Sequence, residues 1–333
     1  MAPTILVTGA RGQIGSDLIP ALRVQYPTTK IIASGRRTET HKEIDLLDYK
    51  VLDVTDNLHL QQIIEQYQVG TIYHLAGVLS AKGEQNQKLC WNVNVNGLKN
   101  VLEVAKSYRL QVFWPSSIAV FGTSTPQFNT PQTTIKEPST IYGITKATGE
   151  LLCQYYAHQF GVDVRSLRLP GIISYSSPPG GGTTDFAVEI FAEAIKQGSY
   201  TCFVRPETRL PMMYMPDAIK AILTLMQVEP AAITVRSSYN LAAVSFSVAE
   251  LVAKIQKHIP DFICHYQPDF RQAIADSWPS TIDDTQARKD WGWQPSYDLT
   301  AIVADMLTHL SIKSSESVGA NGCSLLQKFG VCI

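Results

Sequence analysis

Tyr142 and Lys146 stand four residues apart in a stretch, Ile141 to Phe160, whose pattern predicts a long helix. On a helix that spacing puts both side chains on one face. A free phenol has a pKa of about 10 and is a poor base at neutral pH. Bringing it to about 7 needs roughly 4 kcal/mol, which a lysine ammonium and a second cationic group in a partly dry cleft can supply. Ser116-Ser117 closes a predicted strand and offers a hydroxyl to orient a substrate oxygen. Base, cation and hydroxyl together suit proton removal from an alcohol.

A partner for that chemistry is written at the start of the chain. Gly9-Ala10-Arg11-Gly12-Gln13-Ile14-Gly15 follows a predicted strand, Thr4 to Thr8, and opens a predicted helix, Ile14 to Val24. Gly9 allows the tight turn, Gly12 lets the backbone approach a pyrophosphate at the amides of Gln13 and Ile14, and Gly15 allows close helix–strand packing. The spacing G-x-x-G-x-x-G is one residue wider than the usual dinucleotide fingerprint. Asp53 can accept the adenine amino group while Val54 packs on the ring. Leu75, Ala76 and Gly77 let the nicotinamide side pass closely, and His74 reads as structural. Where an acid would bind the adenosine ribose, the chain has Gly35, followed by Arg36 and Arg37. Two arginines suit a 2′-phosphate, and equally suit a solvated loop or stacking on the adenine.

The elements that position these residues alternate. Strands are predicted at 4–8, 30–34, 51–53, 71–76, 111–114 and 164–167, with helices at 14–24, 58–67, 89–108 and 141–160. That alternation predicts an α/β fold, a Rossmann-type doubly wound parallel sheet with ligands outside the carboxyl ends of its strands. The expected organisation is a dinucleotide-binding domain over 1–168, with parts of 213–241 returning to it. A smaller substrate domain or lid covers 169–312, and a disordered tail 313–333. Three consecutive glycines, Gly180 to Gly182, mark the lid's loop as a hinge or as a place where the backbone approaches the ligand.

Composition excludes several classes. The formal net charge of −1 offers no basic footprint for nucleic acid. No apolar run reaches the ~18 residues of a membrane span, and the opening residues read as a strand rather than a signal peptide. The six cysteines show no C-x-x-C spacing, so no metal site is expected, and scattered thiols fit an intracellular compartment.

These residues, with His74-Leu75-Ala76-Gly77, Asn94-Val95-Asn96-Gly97, Ser116 to Gly122 and Asp283 to Trp293, resemble the extended short-chain dehydrogenase/reductase superfamily of UDP-galactose 4-epimerase and nucleotide-sugar dehydratases. Within it, five signatures resemble the short-chain L-threonine 3-dehydrogenases. They are Phe113 to Ser117, Pro170 to Ser174, Pro178 to Asp185, Pro211 to Met215, and Pro268 to Gln272 continuing through Ala275 to Pro279. The likeness spans residues 4 to about 312.

It implies metal-free, NAD-dependent oxidation of the 3-hydroxyl of L-threonine to 2-amino-3-ketobutyrate. Tyr142 would be the base, Ser117 the hydroxyl-orienting residue and Lys146 the ribose-binding cation. Asn94, Ser116, Pro170 and Ile172 would join the cofactor site. Ser80, Thr183 and Thr184 would contact the amino acid, and Trp278 would wall the pocket. The family usually carries Asp where this chain has Gly35, so Gly35→Asp is expected to tighten NAD. A homodimer or higher oligomer is expected from apolar residues beyond one face of the 89–108 and 141–160 helices, including Trp91, Val95, Leu102, Leu151, Leu152 and Tyr155. The compartment implied is the mitochondrial matrix in a eukaryote and otherwise the cytoplasm. Two competing readings are a nucleotide-sugar enzyme and a non-catalytic dinucleotide sensor. Arg168-Leu169-Pro170-Gly171 lacks the Asn of epimerases, and a sensor would not need the intact Tyr142, Lys146 and Ser117.

Overall fold

The computed structural model describes residues 3–36 and 48–319, with side chains through 312. Six strands carry the first half: β1 (Thr4–Thr8), β2 (Ile31–Gly35), β3 (Asp48–Val51), β4 (Val69–His74), β5 (Gln111–Ser117) and β6 (Val164–Leu169). Six more follow: β7 (Gly171–Ile173), β8 (Ser199–Cys202), β9 (Arg209–Tyr214), β10 (Tyr239–Asn240), β11 (Val244–Ser247) and β12 (Ile263–Tyr266). Seven of them form one sheet in the order β10-β6-β5-β4-β1-β2-β3, parallel throughout. The chain runs outward from β1 in one direction and from β4 in the other. A crevice therefore opens at the β1/β4 switch point, beyond the carboxyl ends of the strands. This is the doubly wound α/β fold expected.

Both faces of the sheet are covered, and strand alternation decides which residue serves which face. Ile5, Val7, Ala33, Phe113 and Leu167 face α1 (Gln13–Gln25) and α8 (Met215–Gln227). Leu6, Ile32, Ile72, Val112 and Trp114 face α2 (Asn57–Tyr67), α5 (Gly97–Tyr108) and α6 (Ile141–Phe160). Two small sheets, β11-β9-β7 and β12-β8, lie outside the main one. The core beside them gathers Phe186 and Phe191 of α7 (Phe186–Gln197) with Leu251 of α9 (Val248–Gln256) and Ile302 of α12 (Leu299–Gly319).

Three sequence expectations are corrected. The helix expected over 89–108 is built of α4 (Gln87–Trp91), a π-helical turn at Asn92–Asn96, and α5. Residues 313–319, expected as part of a tail, are helical, because α12 continues to Gly319; residues 320–333, like Arg37, lie outside the described residues. Val95 and Leu102, read as part of a second apolar face, are buried. Trp91, Leu151 and Tyr155 are exposed. No helix among the described residues is long and apolar enough to cross a membrane.

Candidate active site

α6 begins where Thr140 accepts a hydrogen bond from the Gly143 amide at 3.0 Å, an N-cap that satisfies one orphan donor. The helix then packs tightly on β5. A Cβ at Gly149 would lie 2.4 Å from the Trp114 ring, so only glycine permits this approach. The contact holds Tyr142 and Lys146 beside the end of β5. Lys146 Nζ donates to the Pro115 carbonyl at 2.6 Å and lies 5.6 Å from the centre of the Tyr142 ring.

Burial dominates the proton affinities here. It pushes the Tyr142 phenol up to about 12, while the Ser117 hydroxyl hydrogen-bonded to it pulls the other way. Burial also pulls Lys146 down to about 8, with the carboxylate of Glu150 among the groups opposing it. The local sequence reading, in which the lysine lowers the phenol, therefore omitted a desolvation penalty of opposite sign.

The two serines diverge. Ser117 lies on the Tyr142 side, whereas Ser116 donates to Glu150 Oε1 at 2.7 Å, as alternation on a strand requires. Glu150 is fully buried and is held by Arg168 at 2.8 Å and Lys136 at 2.9 Å. The Ser116 side chain thus belongs to a buried ionic cluster with Glu150, Arg168 and Lys136. The sequence reading names Arg168 only within the segment 168–171 and does not name Glu150, although Glu150 lies one helical turn beyond Lys146.

The glycine turn is built for close backbone approach. Gly9 has φ +68°, and a Cβ there would lie 2.6 Å from the Ala76 amide nitrogen. The turn therefore abuts Leu75 and Ala76 at the end of β4. Gly12 precedes α1 and offers no side-chain cap to the first-turn amides. A Cβ at Gly15 would lie 2.7 Å from the Gly9 and Ala10 carbonyls. Thr8 Oγ1 pairs with His74 Nδ1 at 2.8 Å. His74 is buried, and burial holds its pKa down to about 3, so it is a neutral structural group.

Other expected cofactor residues take varied places. Asp53 accepts from the Thr55 amide and hydroxyl at 2.9 and 2.7 Å, and Val54 is buried beside Gly97. Asn94, in the π turn, accepts from the Val78 amide at 2.8 Å and donates to the Val78 carbonyl and Thr145. It clamps the segment after Gly77 to α6. Arg36 is exposed. Pro170 is buried between β6 and β7, and Ile172 in β7 pairs with Met213.

On the substrate side, Ser80 and Thr183 meet at 3.2 Å across 103 residues of sequence, both buried. Asp185 accepts from the Gly181 and Gly182 amides at 2.8 and 2.7 Å, so the glycine hinge is tied down. Gly181 has φ +93°, and Thr184 packs against Gly171. Trp278 is buried in the same core as Phe121 and Phe186, against which Tyr142 packs. It also lines a separate cleft with Phe128, Arg205 and Thr208.

A doubly wound sheet with an uncapped glycine turn and a Tyr–Lys–Ser constellation defines an NAD-dependent enzyme of the oxidoreductase type. The chain belongs to the NAD dependent epimerase/dehydratase family, whose model matches residues 5–242. It is 47% identical over 311 residues to an uncharacterized epimerase/dehydratase of Staphylococcus haemolyticus, covering 93% of this chain and 98% of the other. It is similar to the L-threonine dehydrogenase of Phytophthora infestans, at 51% identity and TM-score 0.90, covering 93% and 99% of the two chains. A monomeric L-threonine 3-dehydrogenase from a metagenome is 47% identical at TM-score 0.90, covering 93% and 99%. No group of three or more potential metal ligands occurs among the described residues.

Proposed function

We propose that the chain oxidises the 3-hydroxyl of L-threonine to 2-amino-3-ketobutyrate with NAD. The observation that carries this reading is the buried Ser80–Thr183 pair, set in the same fold as Tyr142, Ser117 and Lys146. Two hydroxyls held at 3.2 Å suit the carboxylate and amine of a small zwitterion. In the proposal, Ser117 donates to the substrate 3-hydroxyl oxygen, and Tyr142 removes its proton as a phenolate, which forms where the positive charges of Lys146 and of bound NAD offset the burial penalty. Lys146 supplies positive charge from its seat on the Pro115 carbonyl and binds the nicotinamide ribose. The glycine turn, with Asp53 and Val54, holds the dinucleotide, and NAD when bound accepts the hydride. Residues 1–168 with 213–241 form the cofactor part, and most of 169–312 the substrate part. The likeness to L-threonine dehydrogenases supports the same choice.

The test follows NADH formation with L-threonine and L-serine, and sugar-nucleotide products by chromatography with UDP-sugars, because an epimerase returns its hydride and leaves no net NADH. Turnover of L-threonine at least about a hundredfold faster than of any UDP-sugar is expected. Conversion of a UDP-sugar without any L-threonine oxidation would replace this reading with a nucleotide-sugar one.

A further inference from the structure

Three residues distant in sequence meet at the place where a dinucleotide-binding sheet receives the adenosine ribose. Gly35 ends β2, and the register of β2 and β3 brings Tyr49 alongside it, opposite Ala33. A Cβ at Gly35 would lie 2.8 Å from the Tyr49 hydroxyl oxygen. The phenol therefore stands where a side chain at 35 would begin. The guanidinium of Arg11, from the glycine turn, stacks over the Tyr49 ring at 4.3 Å. Its Nε and Nη2 are buried, with no hydrogen-bond partner among the described residues.

Each part has a physical consequence. A carboxylate at this strand end accepts the ribose hydroxyls and repels a 2′-phosphate. Here the carboxylate is absent and a phenol fills its space. A cation is held nearby by its stack on the ring. Guanidinium donors that are shielded and unpaired carry a desolvation cost, and a phosphate oxygen relieves it with charge-assisted bonds. The exposed Arg36 has no such support.

We propose that Arg11, braced on Tyr49, binds a ribose 2′-phosphate, so that this chain takes NADP as well as NAD. The proposal concerns the cofactor's adenosine end and is independent of the identity of the alcohol substrate. It also revises the expectation for Gly35→Asp. The new carboxylate has to displace the Tyr49 hydroxyl, so the substitution weakens NADP without tightening NAD.

Calorimetric titration of the full chain with NAD, NADP and adenosine 2′,5′-bisphosphate tests this without relying on turnover. In the wild type, the Kd for NADP is expected within about tenfold of that for NAD. Arg11→Gln is expected to weaken NADP and the bisphosphate at least about tenfold while NAD stays within about threefold. Arg11→Lys, which keeps the charge but loses the planar stack, is expected to fall between. Thermal melting of each variant identifies one that has failed to fold, in which case Tyr49→Ala replaces it, with the same selective loss of NADP expected. Wild-type affinity for NADP more than about tenfold below NAD overturns the proposal. So does equal weakening of NAD and NADP by Arg11→Gln, which would place the guanidinium on the pyrophosphate. Wild-type protein that binds neither dinucleotide would contradict the cofactor assignment itself.

Discussion

The Lys146 ammonium is tethered to the Pro115 carbonyl at 2.6 Å, and its nitrogen stands 5.6 Å from the centre of the Tyr142 ring. The cation is thus seated on the strand beside the phenol without a direct bond to its oxygen. Burial raises the proton affinity of that phenol, and the Ser117 hydroxyl bonded to it lowers it.

Replacing Tyr142 with Phe keeps the ring and removes the proton acceptor. Loss of a general base costs about 10²–10⁴ in rate. Turnover should fall by at least about a hundredfold while calorimetric NAD affinity changes less than about threefold. A variant that keeps more than a few per cent of wild-type kcat would remove Tyr142 from the role.

The buried lysine makes stability depend on pH with a definite sign. Its folded pKa is about 8 against an ordinary 10.5, so between those values the unfolded chain binds more protons than the folded one. This group's contribution to stability therefore rises with pH from about 8 to 10.5. Lys146→Met removes that rise. Denaturant unfolding of wild type and variant across this window should show a stability difference that changes in the wild type's favour as pH increases. A pH-independent difference would mean that the ammonium is not desolvated.

Behind the site, Glu150 joins Arg168, Lys136 and Ser116. Glu150→Ala leaves Arg168 buried without its carboxylate. Breaking a buried pair costs about 3–5 kcal/mol. Chemical denaturation should read a loss of that order, and a loss below about 1 kcal/mol would show that water or another anion takes the place of the carboxylate.

Thr183→Val removes one partner of the Ser80–Thr183 pair. If these hydroxyls receive the substrate, the KM for L-threonine should rise at least about tenfold, because a buried carboxylate loses a donor. The Kd for NAD should hardly move. Unchanged threonine kinetics would shift attention to Ser80 alone.

Ile144, Leu151 and Tyr155 of α6 are exposed, together with Trp91 of α4. Residues 144, 151 and 155 fall at helical spacing on one stripe. A homodimer that pairs these helices is expected, although the similar L-threonine 3-dehydrogenase from a metagenome is monomeric. Light scattering at micromolar concentration should give twice the chain mass, and Leu151→Lys should halve it. A monomeric mass for the wild type would reject the pairing.

Some of this was legible in the residues alone. The alternation of strands and helices, the glycine turn at 9–15 and the shared face of Tyr142 and Lys146 are local properties, set by backbone periodicity within a few residues. They yielded the fold class and the class of chemistry. Tertiary structure decided what depends on neighbours across strands. The pleat turns Ser117 to Tyr142 and Ser116 to Glu150. The π turn at Asn92–Asn96 carries Asn94 to the Val78 backbone. Parallel register seats Tyr49 against Gly35 and under Arg11. Folding brings Ser80 to Thr183 from 103 residues away. Proton affinities belong to this second group as well. Desolvation depends on everything packed around a group, and that sum raises Tyr142 and lowers Lys146 where spacing along a helix reports only that they are near.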